Sequence, residues 1–462
     1  MNNINPILNT DSYKLSHFLQ FPPGTTAISA HIETRGQSEG PDVVFFGLQM
    51  FLKAYLARAV TATDIDEAAE IVDAHGLPFD REGWDHILAE HGGHLPVRIE
   101  ALAEGSVVRR GVPVLQLTST DPKVPWTVSH LETALTRAIW YPSTIASQAR
   151  GIREQLKPLI VQTCDAPEKV LPSRLHDFGA RGMASLEQAG IGSAAHLLFF
   201  DRTDTIAGVL NARAYYGAEM AGHSYPASEH ATMAAWGQAR EEEAYAHMID
   251  TFSATGPYAV VSDSFDLNYA ISEIWGKALH DKVMQPQGRL IIRPDRGDPI
   301  DTPIQAISQL AYAFGTHQNA KGYKVLNGNV HVIQSGGILP EDMLMVLRRL
   351  EATGFSAENI SFGIGAGLLH DVGRGNYGFT MRTNARLDTD GKWHDIQLRP
   401  GHIHETPHKT GRQAVAPAEN GELQAVRIEE LGSQNNSLVP VWENGELLKD
   451  WSFEDIRKRA TA

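Results

Sequence analysis

The most constraining feature of this sequence is an alternation of short apolar segments and helical stretches between about residues 170 and 367. The apolar segments lie at residues 258–261, 290–292, 330–333 and 360–362, and each is short enough to be a buried strand. Helical patterns lie between them, for instance at 265–275, where Gly276 is expected to end the helix, and at 341–350. Because parallel strands need helical crossovers, this repetition predicts an α/β sheet or barrel.

The two ends of the chain have a different pattern. The first 150 or so residues mix strand and helix signals, and beyond about residue 383 short β-segments are separated by hairpin turn signals. These signals are Asp390-Gly391, Asn420-Gly421 and Asn444-Gly445. A last helix is predicted after Ser452, which forms a capping-box pattern with Asp455.

Charge and cysteine content restrict the functional class. With 40 basic and 55 acidic residues the net charge is −15, which argues against a general nucleic-acid or membrane-surface binder. An anionic small substrate is compatible with this charge if basic residues gather in one pocket. The single cysteine, Cys164, excludes an intrachain disulfide, and the N-terminal residues lack a signal-peptide pattern. We therefore expect a cytoplasmic protein with no membrane partner.

Polar and glycine residues follow each of the predicted central strands. They are Asp263, Arg293 with Asp295, the segment 335–337, and the glycine-rich segment 363–367. Ligands of parallel α/β proteins bind at the carboxyl ends of the strands, so these residues are candidates for one shared site. The alternative is that they belong to ordinary loops, which are generally polar and rich in glycine.

Each candidate residue type suits an anionic sugar-phosphate. Backbone N–H groups of the glycine-rich segment can approach a phosphate, although a tight turn explains the glycines equally well. Arg293 can bind phosphate oxygens with two N–H groups, and Asp295 can accept hydrogen bonds from ribose hydroxyls. For this pair the alternative is a surface ion pair. His230 can hold an anion as a cation or accept a phosphoryl group; a structural histidine is the alternative.

These residues lie in motifs that resemble those of the nicotinamide phosphoribosyltransferases. The resemblance extends over nearly the whole chain, and its most specific motifs are His176-Asp-Phe-Gly179 with Arg181-Gly182, Thr203-Asp-Thr205, Glu229-His230, Val261-Ser-Asp-Ser264 and Ile291-Ile-Arg-Pro-Asp295. It implies an irregular β/α barrel over residues 151–383. It also implies a second mixed α+β, β-rich domain formed by both chain ends, residues 1–150 with 384–462.

The resemblance also implies a reaction and an assembly. Nicotinamide and phosphoribosyl pyrophosphate would give nicotinamide mononucleotide and pyrophosphate, a step of pyridine nucleotide biosynthesis by NAD salvage. Magnesium is the implied cofactor, ATP an optional coupling substrate that phosphorylates His230, and a homodimer with interfacial sites the implied assembly. No protein side chain is assigned as a direct metal ligand.

Residue roles follow from the same resemblance. Phe178 is expected to stack on one face of the pyridine ring, and Tyr13 of the partner subunit on the other. Asp204 is expected to accept a hydrogen bond from the carboxamide and to repel nicotinate. The catalytic assignments are His230, Asp263, Arg293 and Asp295, with Asp263 supporting the site through hydrogen bonds or metal-bound water. The remaining substrate-binding assignments are Arg181, Ser335, Gly336, Gly365 and Ala366, with Arg374 and Arg382 reaching the 5′-phosphate across the interface.

The sequence departs from the family pattern at two places. It reads Gln334-Ser-Gly-Gly337 where the family usually has Gln-Gly-Asp-Gly, so Gly336 replaces an aspartate that helps to hold ribose, and Ala366 replaces a glycine of the phosphate loop. Three alternatives therefore stay open: a nicotinate or related pyridine phosphoribosyltransferase, a sugar-phosphate lyase or isomerase on a barrel, and a binding homologue with impaired catalysis.

Overall fold

The chain forms two compact units in the computed structural model, which describes residues 5–35, 40–285, 288–397 and 409–462. The first unit comprises Met1–Ser147, Asn211–Glu219 and Val372–Ala462, and the second comprises Gln148–Leu210 and Met220–Asp371. The first unit thus takes in residues 211–219 and 372–383, which the sequence-based limits assign to the barrel. For the second of these segments the reason is strand pairing: Phe379–Leu387 pairs with Ala27–Thr34 along its length.

The β-strands of the described residues are numbered in chain order. They are β1 (Ala27–Thr34), β2 (Val43–Val44), β3 (Val97–Ala101), β4 (Val107–Val108), β5 (Leu115–Ser119), β6 (Leu175–Asp177), β7 (Arg202–Thr203), β8 (Tyr258–Val261), β9 (Leu290–Arg293), β10 (Thr316–Gln318), β11 (Lys324–Leu326), β12 (Val330–Gln334), β13 (Ile360–Ile364), β14 (Phe379–Leu387), β15 (Trp393–Asp395), β16 (Gln413–Pro417), β17 (Leu423–Arg427), β18 (Val439–Glu443) and β19 (Glu446–Leu447).

The helices are numbered in the same way. The α-helices are α1 (Leu48–Phe51), α2 (Ala62–Ala74), α3 (Arg81–His91), α4 (Thr127–His130), α5 (Glu132–Thr163), α6 (Pro167–Val170), α7 (Leu186–His196), α8 (Ile206–Tyr216), α9 (His230–Ala234), α10 (Glu241–Phe252), α11 (Leu267–Tyr269), α12 (His280–Val283), α13 (Asp301–Phe314), α14 (Pro340–Ala352), α15 (Gly367–His370) and α16 (Phe453–Thr461). Shorter 3₁₀ or π-helical segments are Pro6–Leu8, Ser12–Leu19, Leu52–Leu56, Leu171–Ser173, Ala180–Gly182, Gln238–Arg240, Ala270–Ala278, Ala357–Asn359 and Ile428–Glu430.

The second unit is built on a six-stranded sheet in the order β7-β6-β13-β12-β9-β8. All of its strand pairs are parallel, and helices such as α13 and α14 connect successive strands. The apolar segments identified in the sequence are strands β8, β9, β12 and β13 of this sheet. The prediction of parallel strands with helical crossovers is therefore confirmed.

A short extended segment, residues 223–228, contacts both edges of this parallel sheet. At one edge, Thr203 N of β7 donates to His223 O at 3.2 Å. At the other edge, Ser228 N donates to Ala259 O at 3.0 Å and Ala259 N donates to Pro226 O at 2.8 Å. Backbone groups of both edge strands are thereby paired, so neither edge is left as an open row of donors and acceptors.

The helix predicted at 265–275 does not end at Gly276. It continues as a π-helical segment, Ala270–Ala278, through the glycine. A Cβ atom at Gly276 would lie 2.9 Å from Ala313 Cβ and 2.8 Å from Ile271 O. Gly276 therefore serves the close approach of α13 to this helix rather than its termination, and the predicted helix end was wrong.

The buried guanidinium of Arg174 fixes the start of β6, the strand that leads into the motif around Phe178. Its Nη1 donates to Ile360 O at 2.5 Å and to Ala357 O at 3.2 Å, and its Nε donates to Val170 O at 3.1 Å. Burial lowers the pKa of Arg174 to about 10, which leaves it charged at neutral pH. By donating to carbonyl oxygens on both sides, this cation ties β6 to the segment entering β13.

The first unit contains a seven-stranded sheet in the order β15-β14-β1-β5-β3-β18-β19, in which the pairs are antiparallel. The three predicted hairpins are confirmed: β14 pairs with β15, β16 with β17 and β18 with β19. Ser452 caps α16, accepting a hydrogen bond from Asp455 N at 3.2 Å. Within the described ranges, no helix is both long and apolar enough to cross a membrane.

Candidate active site

One carboxylate, Asp263, joins the ends of two neighbouring parallel strands in the second unit. It follows β8, and its Oδ2 accepts hydrogen bonds at 2.7 Å from the backbone N–H groups of Asp295 and Arg296, which follow β9. Its Oδ1 lies 2.9 Å from His230 Nε2. Because the side chain of Asp263 is only 6% exposed, these contacts fix the turn after β9 and the histidine together.

The turn held by Asp263 presents Arg293 and Asp295 to Ser335, which follows β12. Arg293 Nε donates to Ser335 Oγ at 2.9 Å, and Ser335 Oγ donates to Asp295 Oδ1 at 2.7 Å. Arg293 Nη2 lies 3.6 Å from the same Asp295 oxygen, and Asp295 Oδ2 lies 3.8 Å from His230 Nδ1. A serine hydroxyl therefore connects the arginine and the aspartate, and it orients both.

Phe178 lies beside this cluster, over the inner face of the parallel sheet. Arg293 Cζ is 5.1 Å from the centre of its ring, within the range of a cation–π contact. The ring packs against the buried residues Ala259, Ile291 and Ile333. A Cβ atom at Gly363 would lie 2.2 Å from the ring, so the first glycine of segment 363–367 makes room for Phe178.

Asp204 is linked to the same region through the buried Asp177. Asp177 O accepts from Asp204 N at 2.9 Å, and the Asp177 carboxylate accepts from Gly179 N at 2.7 Å and Thr203 Oγ1 at 2.9 Å. Ser224 Oγ donates to Asp204 Oδ1 at 2.5 Å. Partial desolvation raises the pKa of Asp204, and the hydrogen bond from Ser224 and the charge of Arg293 oppose that shift.

One neighbour of Phe178, the buried His176, is uncharged. His176 lies 5.4 Å from Phe178 and 5.0 Å from Tyr225 between ring centres. Burial, and then the nearby cation Arg202, lower the pKa of His176 to about 3, so its imidazole is neutral at physiological pH. A planar uncharged ligand can therefore contact His176 without desolvating a charged imidazole.

The remaining predicted site residues divide between the two units. Gly365 and Ala366 follow β13, and Arg181 is exposed on the 3₁₀ turn Ala180–Gly182 that follows Phe178. Tyr13, Arg374 and Arg382 belong to the first unit. Tyr13 is 55% exposed, Arg374 Nη1 donates to Phe379 O at 2.9 Å, and Arg382 Nε lies 4.0 Å from Glu33 Oε1.

Both departures from the family pattern have a local steric context. A Cβ atom at Gly336 would lie 1.8 Å from Asp295 O, so an aspartate does not fit at this position with the present backbone. A Cβ atom at Gly182 would lie 2.2 Å from Ala366 Cβ. In this chain the side chain of Ser335 donates a hydrogen bond to Asp295, and the methyl group of Ala366 fills the space beside Gly182.

Sequence reasoning did not assign roles to several residues that organise the site. Asp177 and His176 lie within the motif that carries Phe178, so their positions in that motif were an available signal. Tyr225 and Ser224 come from the extended segment 223–228, which has no sequence pattern of a strand. Their contacts with His176 and Asp204 depend on the hydrogen bonds of that segment with both edges of the sheet.

The arrangement combines three kinds of binding group within a small region. An aromatic ring suits a flat base, paired carboxylates suit hydroxyl groups, and the guanidinium of Arg293 suits an anion. Of the residues predicted for the site, Phe178, Arg293, Asp295, Ser335, Asp263 and His230 are linked by direct contacts, and Asp204 joins them through Asp177. The site is thus suited to a base and an anionic sugar held side by side.

Two family models match the sequence. Residues 173–419 match the nicotinate phosphoribosyltransferase (NAPRTase) family, and residues 5–99 match the nicotinamide phosphoribosyltransferase N-terminal domain. A nicotinamide phosphoribosyltransferase of Xanthomonas campestris pv. campestris is 42% identical over 464 residues, covering 99% of this chain and 98% of the relative. A second, from Acinetobacter baylyi, is 29% identical and covers 99% of this chain and 97% of the relative.

Solved structures share the fold at lower identity. The crystal structure of nicotinate-nucleotide pyrophosphorylase from Pyrococcus furiosus has a TM-score of 0.63 at 18% identity, covering 100% of this chain and 96% of that chain. The structure of human nicotinic acid phosphoribosyltransferase has a TM-score of 0.57 at 18% identity, covering 98% of this chain and 93% of that chain. At these identities the likeness shows the fold alone.

We expect Gly336→Ala to lower the free energy of unfolding by about 1–3 kcal/mol, because its Cβ would collide with the Asp295 carbonyl and force the backbone to shift. The matched control is Gly365→Ala, where no atom lies within 4 Å of an added Cβ. Urea unfolding followed by circular dichroism measures both. Equal unfolding midpoints for the two variants would contradict the steric account of Gly336.

Proposed function

The chain belongs to the nicotinamide phosphoribosyltransferase family, and from this premise we propose that the cluster around Arg293 and Asp295 is its catalytic site. The protein is a phosphoribosyltransferase of NAD salvage that forms nicotinamide mononucleotide and pyrophosphate. The observation that carries the proposed site is the direct contact of Arg293 with Phe178 and, through Ser335, with Asp295. Arg293, Asp295 and Ser335 lie at the ends of the adjacent strands β9 and β12, and Phe178 follows β6 of the same sheet. These are groups for a base, an anion and a ribose in one place.

The proposed chemistry needs charge stabilisation rather than a protein nucleophile. The ring nitrogen of nicotinamide donates its lone pair to the anomeric carbon of phosphoribosyl pyrophosphate. The bond from that carbon to the pyrophosphate oxygen breaks, and its electron pair leaves on pyrophosphate. Positive charge develops on the ribose and negative charge on the leaving group. Arg293 and the exposed Arg181 are the proposed pyrophosphate-binding residues.

Phe178, Tyr13 and Asp204 are the proposed base-binding residues. Phe178 stacks on one face of the pyridine ring, and Tyr13 of a second copy covers the other face. The Asp204 carboxylate accepts a hydrogen bond from the carboxamide N–H₂. The hydrogen bond that Ser224 Oγ donates to Asp204 Oδ1 holds this carboxylate in a fixed orientation. A carboxylate in this position repels the carboxylate of nicotinate, which favours the amide.

Asp295 is the proposed partner of the ribose hydroxyls, and Asp263 positions it through the backbone. Ser335 adds a contact that the family's glycine cannot make, because its hydroxyl fixes the Asp295 carboxylate against Arg293. We therefore propose a working site with altered ribose contacts rather than a site that has lost ribose binding. The phosphate-binding residues complete this set: Gly336, Gly365 and Ala366 from the same chain, with Arg374 and Arg382 from the second copy.

Magnesium is proposed to bind together with the pyrophosphate group. Both oxygens of Asp263 already accept hydrogen bonds, whereas Asp295 Oδ2 takes part in no hydrogen bond within the described part of the chain. One carboxylate plus phosphate oxygens and water is a donor set that Mg²⁺ accepts, so Asp295, with Asp263 through water, would hold it. When bound, the ion neutralises charge on the leaving group.

His230 is the proposed site of phosphoryl transfer from ATP. One ring nitrogen contacts Asp263 and the other faces Asp295 at 3.8 Å, an arrangement that orients the imidazole. A phosphoryl group on His230 would lie beside the pyrophosphate-binding arginine. ATP is therefore an optional coupling substrate in this proposal.

We also propose the finer architecture and assembly that the family resemblance implies. Segment 223–228 contacts both edges of the parallel sheet, which supports an irregular β/α barrel in the second unit. The exposed side chain of Tyr13 supports a homodimer in which each site uses residues of both copies. A cytoplasmic location is proposed from the single, buried cysteine Cys164.

Incubating the purified full chain with nicotinamide, phosphoribosyl pyrophosphate and Mg²⁺ tests the proposed function. We expect nicotinamide mononucleotide and pyrophosphate in equal amounts, measured by liquid chromatography and a coupled pyrophosphate assay. Addition of ATP is expected to raise the yield and to label His230. Absence of nucleotide product with every pyridine base offered would reject the function, and tight base binding by calorimetry would then indicate a binding homologue.

The Asp204→Asn variant tests the proposed recognition of the amide. A hydrogen bond to a charged group contributes about 1.5–3 kcal/mol, so the preference for nicotinamide over nicotinate in kcat/KM should fall by roughly 10- to 100-fold. Asp250→Asn is the matched control, because Asp250 is exposed and pairs with Lys282 on the surface. An unchanged ratio in Asp204→Asn would show that another residue selects the base.

A mixing experiment tests whether two copies share each site. Tyr13→Ala and Phe178→Ala should each lower kcat/KM at least tenfold, because each removes one aromatic face from the base. Random pairing of the two co-expressed variants makes about half of the dimers mixed, and one of the two sites in each mixed dimer is intact. Activity should therefore recover to about one quarter of wild type. Activity that stays at the level of the separate variants would contradict a shared site.

A further inference from the structure

A cluster of two histidines and an aspartate lies in the first unit and has no part in the proposed reaction. His86 and His91 are on α3, and Asp121 follows the end of β5. His86 Nε2 lies 2.8 Å and His91 Nε2 2.7 Å from the same oxygen, Asp121 Oδ2. The three donor atoms all lie within 4.8 Å of one another.

The surrounding structure holds these three side chains in place. Helix α3 is anchored to the core by Trp84, which is 2% exposed, and by Ile87, which is fully buried. The helix stops directly after His91, because Gly92 adopts a left-handed conformation with φ of 58°. Asp121 is fixed from the other side, since its Oδ1 accepts from Lys123 N at 2.8 Å.

The cluster is shielded but open to a small ion. The side chains of His86, His91 and Asp121 are 16%, 21% and 12% exposed. The two rings stand nearly perpendicular, at 79°, with their centres 5.9 Å apart, so both Nε2 atoms point to one place without ring overlap. Among the residues that the structure describes, this is the grouping of three or more ligand-type side chains close enough to share an ion.

We propose that His86, His91 and Asp121 bind a divalent transition-metal ion of the zinc class. Two imidazole nitrogens and one carboxylate oxygen are a common three-ligand set for Zn²⁺, with water in the fourth position. Ligand atoms around tetrahedral zinc are about 3.3 Å apart, so the present 2.7–2.8 Å contacts need to open by only about half an ångström. Each ring binds the ion as a neutral imidazole, so the proton that Nε2 donates to Asp121 moves through solvent to Nδ1 of the same ring.

The consequence of binding is a clamp between α3 and the segment after β5. These elements are distant in sequence, and the ion binds all three side chains only when both elements are folded. Metal binding therefore stabilises the folded chain, by an amount that grows with the ion concentration relative to its dissociation constant.

The test uses the full chain without an affinity tag, freed of metal by chelator and titrated with Zn²⁺ alone by calorimetry. Wild type and the control His75→Ala, which changes an exposed histidine of the same unit, should bind one zinc at the same affinity. His86→Ala, His91→Ala and Asp121→Asn should each weaken zinc binding more than about 100-fold, since loss even of a residue that only orients a metal ligand costs about 10- to 100-fold. Unchanged binding in the three variants would overturn the proposal.

X-ray absorption spectroscopy at the zinc edge, on the wild-type protein, keeps the proposal testable if a variant fails to fold. At one equivalent, the spectrum should show two imidazole ligands, whereas binding at the active-site carboxylates would show at most His230. The thermal midpoint of the wild type should rise with Zn²⁺ and that of a folded His86→Ala variant should not. A spectrum with fewer than two imidazoles would rule out this cluster as the site.

Discussion

The geometry of the candidate site depends on the hydrogen bonds that the Asp263 carboxylate accepts from two successive backbone N–H groups, those of Asp295 and Arg296. This contact crosses from one parallel strand to the next and sets the direction in which Arg293 and Asp295 leave the sheet. A buried acceptor with two charge-assisted bonds is costly to displace, so the turn is rigid before any substrate binds. Ser335 and His230 then add contacts to a framework that is already fixed.

Close contacts of the backbone explain two glycines of the site, including Gly336, where the family pattern alone suggests only a lost side chain. Gly336 lies so near the Asp295 carbonyl that no side chain fits there, and the neighbouring Ser335 supplies the hydroxyl that contacts Asp295. Gly363 leaves space for the ring of Phe178 rather than for a phosphate. The departures at 335 and 336 are therefore a paired change: one position loses a side chain, and the adjacent position gains one that reaches the same aspartate.

Much of the fold could be predicted because parallel strands buried on both faces leave a clear apolar signal. Strands β8, β9, β12 and β13 and the hairpins at Gly391, Gly421 and Gly445 were all recognisable from local sequence. The extended segment 223–228 was not, since its pairing with both sheet edges is not encoded in a periodic pattern. Its residues Ser224 and Tyr225 were missed as site components for that reason. Gly276 was misread because a glycine that permits helix packing and one that ends a helix look alike in sequence.

The sequence by itself determined the family, the reaction and the identity of most candidate residues, because motifs such as His176-Asp-Phe-Gly179 and Ile291-Ile-Arg-Pro-Asp295 are short and specific. Only the tertiary structure decided which of them touch. It placed Ser335 between Arg293 and Asp295, and it brought His86 and His91 onto Asp121, thirty or more residues further along the chain. Contacts of this kind depend on distances between strand ends and helix termini, and those distances are set by packing that no local pattern records.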